Sequence, residues 1–474
     1  MGLRLISQSN RSRVKISQSI SWADVSREAS DHLTHLLALG TSAPGTWERP
    51  AARYMLGLFE REGIPAMLLP PVADAEIGQD SRPNLIAHIP GNPAEEPLLL
   101  LSHLDSAPYK RDEQDHTAAT SGHIIRGPGA LMGPVISVAQ AMAMILLARN
   151  DNSLRRTVRY AAVSDGSCGR ATGLAHLAGN HLEHITSDIA IAWGGISFNA
   201  PDGSPCSLLA TAEKGILTIR LRAEGPGGVA GIVFRDHDPL EKLIRCLNKI
   251  DSLELPIKTS DASRSLLKSI ASAFPDLIPD DILNDLEDDS EAASALTRLS
   301  ELKNLDPGIL SLIRSGIRTE KSLVRITTDS CPGLKPKLAE AEIFYSFPPG
   351  EDAERIAIRV LESIGREDGV FLAHKSIQLP SENEISPDVK AMIRAVMQEI
   401  NPAAKLLDGL APWSSGHGAL RRFGTYIYGW EPFITAGTLY ETLRLRGGPR
   451  EKIDADDFLN SIKALFSFLC RAAL

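Results

Sequence analysis

Residues 98–108 read LLLLSHLDSAP. Four consecutive leucines cannot alternate between core and solvent, so they describe a strand buried on both faces, within a sheet covered by helices on each side. The apolar run stops at His103, and Asp105 follows two places on. A buried strand ending in His-x-Asp carries an imidazole to the tip of the sheet, with a carboxylate able to orient it. That is the position of a metal ligand or a catalytic base.

Outward from this strand the α/β pattern continues. Residues 23–62 have helical spacing around LTHLLALG and ARYMLGLFEREG, and IPAMLL and NLIAHIPG read as strands. Downstream come a helix over 134–149, the strand TVRYAAVSD, the helix GLAHLAGNH and the strand DIAIAWGG. The texture changes after about residue 210. GILTIRLRAEG alternates, PLEKLIRCLNKI is amphipathic, and KLAEAEIFYSFPPG, DAERIAIRVLESIG and VFLAHKSIQL outline a small α+β unit. An insertion at about 257–318 holds DLIPDDILNDLEDDSEAA, acidic with no basic residue. It lacks the central glycine and alternating acids of a calcium loop and reads as a solvated helix face. The expected fold is therefore α/β: a doubly wound mixed sheet built from residues 1–210 and 381–474. An α+β lid or dimerisation domain spans 211–380, with the helical acidic insertion inside it.

A chain of 474 residues with 43% hydrophobic and 23% charged residues has the balance of a globular protein, and a net charge of -9 argues against nucleic acid as a partner. The five cysteines are scattered with no CxxC pair, so neither a disulfide framework nor a structural zinc site is indicated. No apolar run reaches the ~18 residues of a membrane span, so no membrane partner is expected. The first twenty residues are basic and serine-rich, without the apolar core of a signal peptide, and Ile6 stands where a myristoylation motif needs Ser or Thr. A cytoplasmic protein is expected, with a transit peptide as the alternative.

The segments LLLLSHLDSAP, GHIIRGPGALMGP, VRYAAVSDGSCGRATGLAHL, DIAIAWGG, EKGILTIRLRAEG, FPPG and GGPREKI occur in this order. With them the chain resembles the aminoacylase/carboxypeptidase family of zinc hydrolases. That family includes acetylornithine deacetylase, succinyl-diaminopimelate desuccinylase and the N-acyl-amino-acid hydrolases. The resemblance implies a zinc-binding α/β domain with an inserted lid. It also implies amide hydrolysis by two zinc ions that share a bridging Asp, with a Glu taking the proton of the bridging water. His103 matches the first ligand and Asp105 the orienting aspartate.

The other positions depart from the pattern. Leu131 and Met132 stand at the bridging Asp, and no Asp or Glu occurs between His116 and Asn150. Asp165-Gly166-Ser167 replaces Asp-Glu-Glu, so Gly166 stands for the base and Ser167 for a ligand. Ala192 and Trp193 stand where a carboxylate is expected, and Gly447 where the last histidine is. In the lid, Gly228 and Val229 take the place of a histidine and Ser346 that of an arginine. No di-zinc site, and no other cofactor, is expected.

The resulting expectation is a metallopeptidase-like pseudoenzyme that binds a small acyl-amino-acid or peptide-like ligand, or a partner. The lid would pair with a second copy or with an active relative. One alternative is a metal-independent enzyme acting on an amide or acyl bond through His103 and Asp105. Ser167 would be its nucleophile if the three stand in serine-hydrolase order, and otherwise a small residue filling a dead pocket. A residual metal-dependent amidohydrolase or carboxypeptidase is the other alternative. Cys168 is expected in the core. Trp193 is expected to wall the cleft, and His417, in PWSSGHGALRRFG, to meet a ligand carboxylate together with Arg421 or Arg446.

Overall fold

The computed structural model describes residues 20–41, 48–70, 82–107, 118–150, 153–167, 172–232, 238–365 and 369–474. Cys168 lies outside the described residues. The strand Leu98–His103 runs through the middle of a ten-stranded mixed sheet, parallel to Val158–Val163 on one side and to Ile189–Ala192 on the other. Tyr426–Gly429, from the last part of the chain, lies parallel to Ile189–Ala192. The long strand Pro205–Glu213 follows, pairing with Lys405–Leu410, Ile196–Asn199 and Ser381–Glu382.

All six residues of Leu98–His103 are buried, as the unbroken leucine run requires. Leu98 and Leu100 pack with residues of the helices Trp22–Leu39, Pro134–Arg149 and Ala455–Ala473. Leu99 and Leu101 pack on the other face with Leu174 and Leu177 of the helix Leu174–Asn180. The helix Pro134–Arg149 is buried from Pro134 to Leu147, with proline at its start, where no intrahelical N–H is lost. Its two buried polar side chains secure the strand ends. Gln140 Nε2 donates to the carbonyls of Leu101 (3.3 Å) and Ile191 (3.2 Å), and Ser137 Oγ donates to the His103 carbonyl (2.9 Å).

A separate four-stranded antiparallel sheet has the order Glu320–Thr328, Leu338–Phe347, Gly215–Glu224, Val370–Gln378 and shares no strand with the larger one. Gly215–Glu224 and Leu338–Phe347 alternate in burial, and the helices Pro239–Asp251 and Ala353–Ile364 pack on the buried side. The helices Asp261–Ala273, Asp280–Leu286, Ala292–Ser300 and Pro307–Ile317 lie in sequence between strands of this smaller sheet. Their apolar residues, among them Leu266, Ile270, Leu299 and Ile313, nevertheless pack with Ile196, Phe198, Leu208 and Leu407 of the ten-stranded sheet. The acidic insertion thus buries its apolar face on the main body. Among the described residues no helix is long and apolar enough to cross a membrane.

Candidate active site

His103 and Asp105 are both buried, and His103 Nδ1 lies 3.0 Å from Asp105 Oδ1. Asp105 does more than orient the ring. Its Oδ1 accepts the Gly166 N–H (2.8 Å), and its Oδ2 accepts the Ser167 N–H (2.9 Å) and the Ser167 hydroxyl. Burial alone would raise this carboxyl. The imidazole and the Ser167 donors outweigh it and hold Asp105 below the usual carboxylate range.

Two glycines allow this close packing. A Cβ on Gly166 would lie 2.4 Å from His103 Cβ, and one on Gly133 would lie 2.2 Å from the Asp105 carbonyl. Gly133 also has φ +71°, where a side chain is strained. The backbone at 166 therefore sits against the histidine so closely that no side chain fits. Ser167 differs from the serine-hydrolase expectation. Its hydroxyl is given to Asp105, so the aspartate stands between serine and histidine, whereas a nucleophile needs the histidine in the middle.

A cavity of about 290 Å³ opens in front of His103, bordered by Met132, Ser167, Trp193, Trp413 and Gly447. A larger one of about 760 Å³, along Leu174, Ile377 and Leu379, shares Gly166, Trp193 and Ser415 with it. Trp193 borders both cavities. It is buried, and its indole meets His103 edge-on at 5.2 Å and His417 at 4.7 Å between ring centroids.

His417 is buried, and among the described residues its Nε2 has no hydrogen-bond partner. Burial pushes its pKa down to about 3, against the opposing pull of Glu213 and with the help of Arg421 and His103. The ring is thus neutral in the folded chain. A depressed histidine pKa contributes stability that is complete above the unfolded value of 6.5 and is lost as pH falls toward about 3. His417→Gln should remove an acid-side slope of up to about 1.4 kcal/mol per pH unit. Urea unfolding of both proteins across this range checks it, because the carboxyl groups titrate in both and cancel in the difference. A difference that stays flat with pH would rule this out.

The guanidinium groups expected beside His417 are already engaged. Arg446 forms a two-pronged pair with Glu431 (2.7 and 2.9 Å), and Glu431 also accepts the Gly194 N–H (2.8 Å). Arg421 donates to Asn383 Oδ1, to Ser381 and to the Ile427 carbonyl, and lies 3.7 Å from Glu213. Both guanidinium groups are held by protein partners, and Arg446 also borders the smaller cavity and Arg421 the larger one.

Several framing carboxylates were not anticipated from the sequence. Glu451 accepts the N–H groups of Gly129 (2.8 Å), Leu131 (2.9 Å) and Gly447 (2.5 Å). It ties together the two glycine-rich segments where the resemblance placed the bridging Asp and the last histidine. Burial pushes its carboxyl up to about 7 against the pull of those donors. Its place in GGPREKI was a faint signal, since a glutamate amid buried loop glycines has N–H groups to serve. Glu48 and Arg82 gave no such signal. They form a buried cluster with Asp165, a residue of positive φ (61°) that leads into Gly166.

A di-zinc centre needs several imidazole and carboxylate donors free to converge. Among the described residues, no three metal-ligating side chains come together in the cleft. Asp105, Glu431 and Glu451 have their oxygens committed to N–H, O–H and guanidinium donors. The described residues of the cleft therefore do not fit a two-metal site.

No family model matches the chain, and no curated protein sequence does either. Solved structures are similar over nearly its full length. Human carnosine dipeptidase 1 has a TM-score of 0.67 at 10% identity, with 95% of this chain and 98% of that one covered. A di-peptidase from Saccharomyces cerevisiae has 0.65 at 12% identity, covering 95% and 98%. An M20 family metallo-carboxypeptidase from Sulfolobus solfataricus has 0.64 at 17% identity, covering 94% and 98%. The ten-stranded body, the separate four-stranded sheet and the cleft at the tip of Leu98–His103 are the fold of the M20 metallopeptidases.

Proposed function

We propose that this protein binds a small peptide-like or acyl-amino-acid ligand in the His103 cleft and does not carry out di-zinc hydrolysis. One observation carries the reading: the buried carboxylates at the cleft are spent on holding its walls, while His103 faces a cavity with aromatic sides. Two further features support it. Ser415 borders both cavities, its Oγ is buried without a hydrogen-bond partner among the described residues, and an amide ligand offers a donor or acceptor to satisfy such a group. The solved structures with this fold include two dipeptidases and a carboxypeptidase, so a peptide-like ligand suits the shape of the cleft.

Titration calorimetry of the metal-stripped chain with dipeptides and N-acetyl amino acids tests this. Binding is expected without zinc, and Trp193→Ala should weaken it about tenfold or more, near 1.4 kcal/mol. Two zinc ions per chain, lost in His103→Ala together with a zinc-dependent peptidase activity, would overturn the proposal.

A second reading rests on the His103–Asp105 contact. With Nδ1 held by Asp105, Nε2 is the nitrogen left to act, and an imidazole oriented in this way can take a proton as a general base. If the chain turns over an amide or acyl substrate without metal, His103→Ala abolishes the activity. Ser167→Ala then leaves it, because the serine hydroxyl serves Asp105.

A further inference from the structure

Three histidine rings adjoin one another at the far end of the helix Leu174–Asn180, whose first residues border the larger cavity. His181 interrupts the helix with φ -141° and ψ 35°, and its N–H still closes on the Leu177 carbonyl (2.8 Å). A new turn, Leu182–Ile185, starts there, with the His184 N–H on the His181 carbonyl (3.1 Å). Three residues apart on one turn, His181 and His184 face the same way, their ring centroids 6.3 Å apart. Glu183 Oε1 lies 3.5 Å from His184 Nε2. One ligand atom from each of His181, Glu183 and His184 falls within 4.8 Å of the others.

The turn is anchored. Ile185 is buried, and Arg159 on the strand Val158–Val163 donates to the carbonyls of Glu183 (2.7 Å) and Thr186 (2.9 Å). Behind His181 the buried His176 ring stands edge-on at 5.4 Å, its Nδ1 held by the Asn180 amide (3.0 Å). His181 is thus packed against a fixed neighbour, while His184 and Glu183 keep side-chain exposures of 30% and 66%. Protein ligands on one side and open water on the other make the arrangement of a three-ligand site with a free position.

We propose that His181, Glu183 and His184 bind one divalent transition metal ion of the zinc, nickel or copper type. Two imidazoles and one carboxylate select these borderline ions over magnesium or calcium, which need all-oxygen shells. The bound ion would staple the turn to the end of the helix. The site uses none of the cleft residues and does not depend on what the cleft does.

The test uses the full chain, stripped with a chelator and titrated with zinc chloride near neutral pH. One ion per chain is expected, with a rise in the thermal unfolding midpoint because the ion binds the folded turn. The His181→Ala, His184→Ala double variant should lose both, and His103→Ala should keep both. Glu183→Gln, which leaves both rings in place, should weaken zinc binding measurably and guards against a folding defect in the double variant. Absence of binding, binding that survives the double variant, or a single ion lost in His103→Ala would each overturn the proposal. A pair of ions lost in His103→Ala would instead overturn the reading of the cleft, and the double variant would still decide this one.

Discussion

Replacing Arg82 by methionine is expected to destabilise the folded chain by about 3–5 kcal/mol, the range for removing one partner of a buried ion pair. Arg82 is 2% exposed. Its Nε and Nη2 reach Glu48 at 2.9 and 2.6 Å, and Nη2 reaches Asp165 Oδ1 at 3.0 Å. Methionine is of similar length and fills much of the space, so the loss measures the charge. Two buried carboxylates are left facing each other without a cation. Burial already pushes the Asp165 carboxyl up to about 6 with Arg82 present, and removing the guanidinium drives it higher. The effect should reach the cleft, because Glu48 also accepts the Asp165 N–H (3.0 Å) and Asp165 sets the backbone that delivers Gly166 and Ser167 to Asp105. Urea unfolding followed by circular dichroism gives the loss. Adding Glu48→Gln and Asp165→Asn to Arg82→Met should recover part of it, since no buried charge is then stranded. An unchanged midpoint for the single variant would reject this account.

Glu451→Ala is expected to be nearly as damaging, about 3 kcal/mol or more. Each of three N–H groups loses its acceptor, at about 1–3 kcal/mol for a buried unsatisfied group. The change also frees the segments that present Met132 and Gly447 to the cavity, so ligand affinity should fall together with stability. Glu451→Gln separates the two contributions. Its single carbonyl oxygen can still accept from Gly129 and Leu131, but its amide nitrogen cannot accept from Gly447. The glutamine variant should therefore fall between wild type and alanine in the unfolding midpoint. A glutamine variant as unstable as alanine would mean that the charge, and not the acceptor count, holds the two loops together.

Much of the frame was legible in the order of residues. The leucine run Leu98–Leu101 marked a strand buried on both faces, and the alternation in Gly215–Glu224 marked one with a single covered face. The spacing of His103 and Asp105 announced their contact, because a two-residue step past a strand end keeps both at one tip. Gly166 and Trp193 follow strands that run parallel to Leu98–His103 on either side, and both border the cavity before His103, since the ends of neighbouring parallel strands open on the same edge of a sheet.

The commitments of the polar side chains were decided only when the chain closed on itself. Arg82 finds Glu48 and Asp165, Glu431 finds Arg446, and Glu451 reaches back over 320 residues to Leu131. Whether Ser167 gives its proton to Asp105 or to His103, and whether Arg446 is free for a ligand, depends on these partners. The helices from Asp261 to Ile317 likewise follow the smaller sheet in sequence but bury their apolar faces on the larger one. Periodicity is a local property that residue order carries in full. The partner of a buried charge is whatever donor the tertiary structure brings within about 3 Å, and no local pattern encodes that distance.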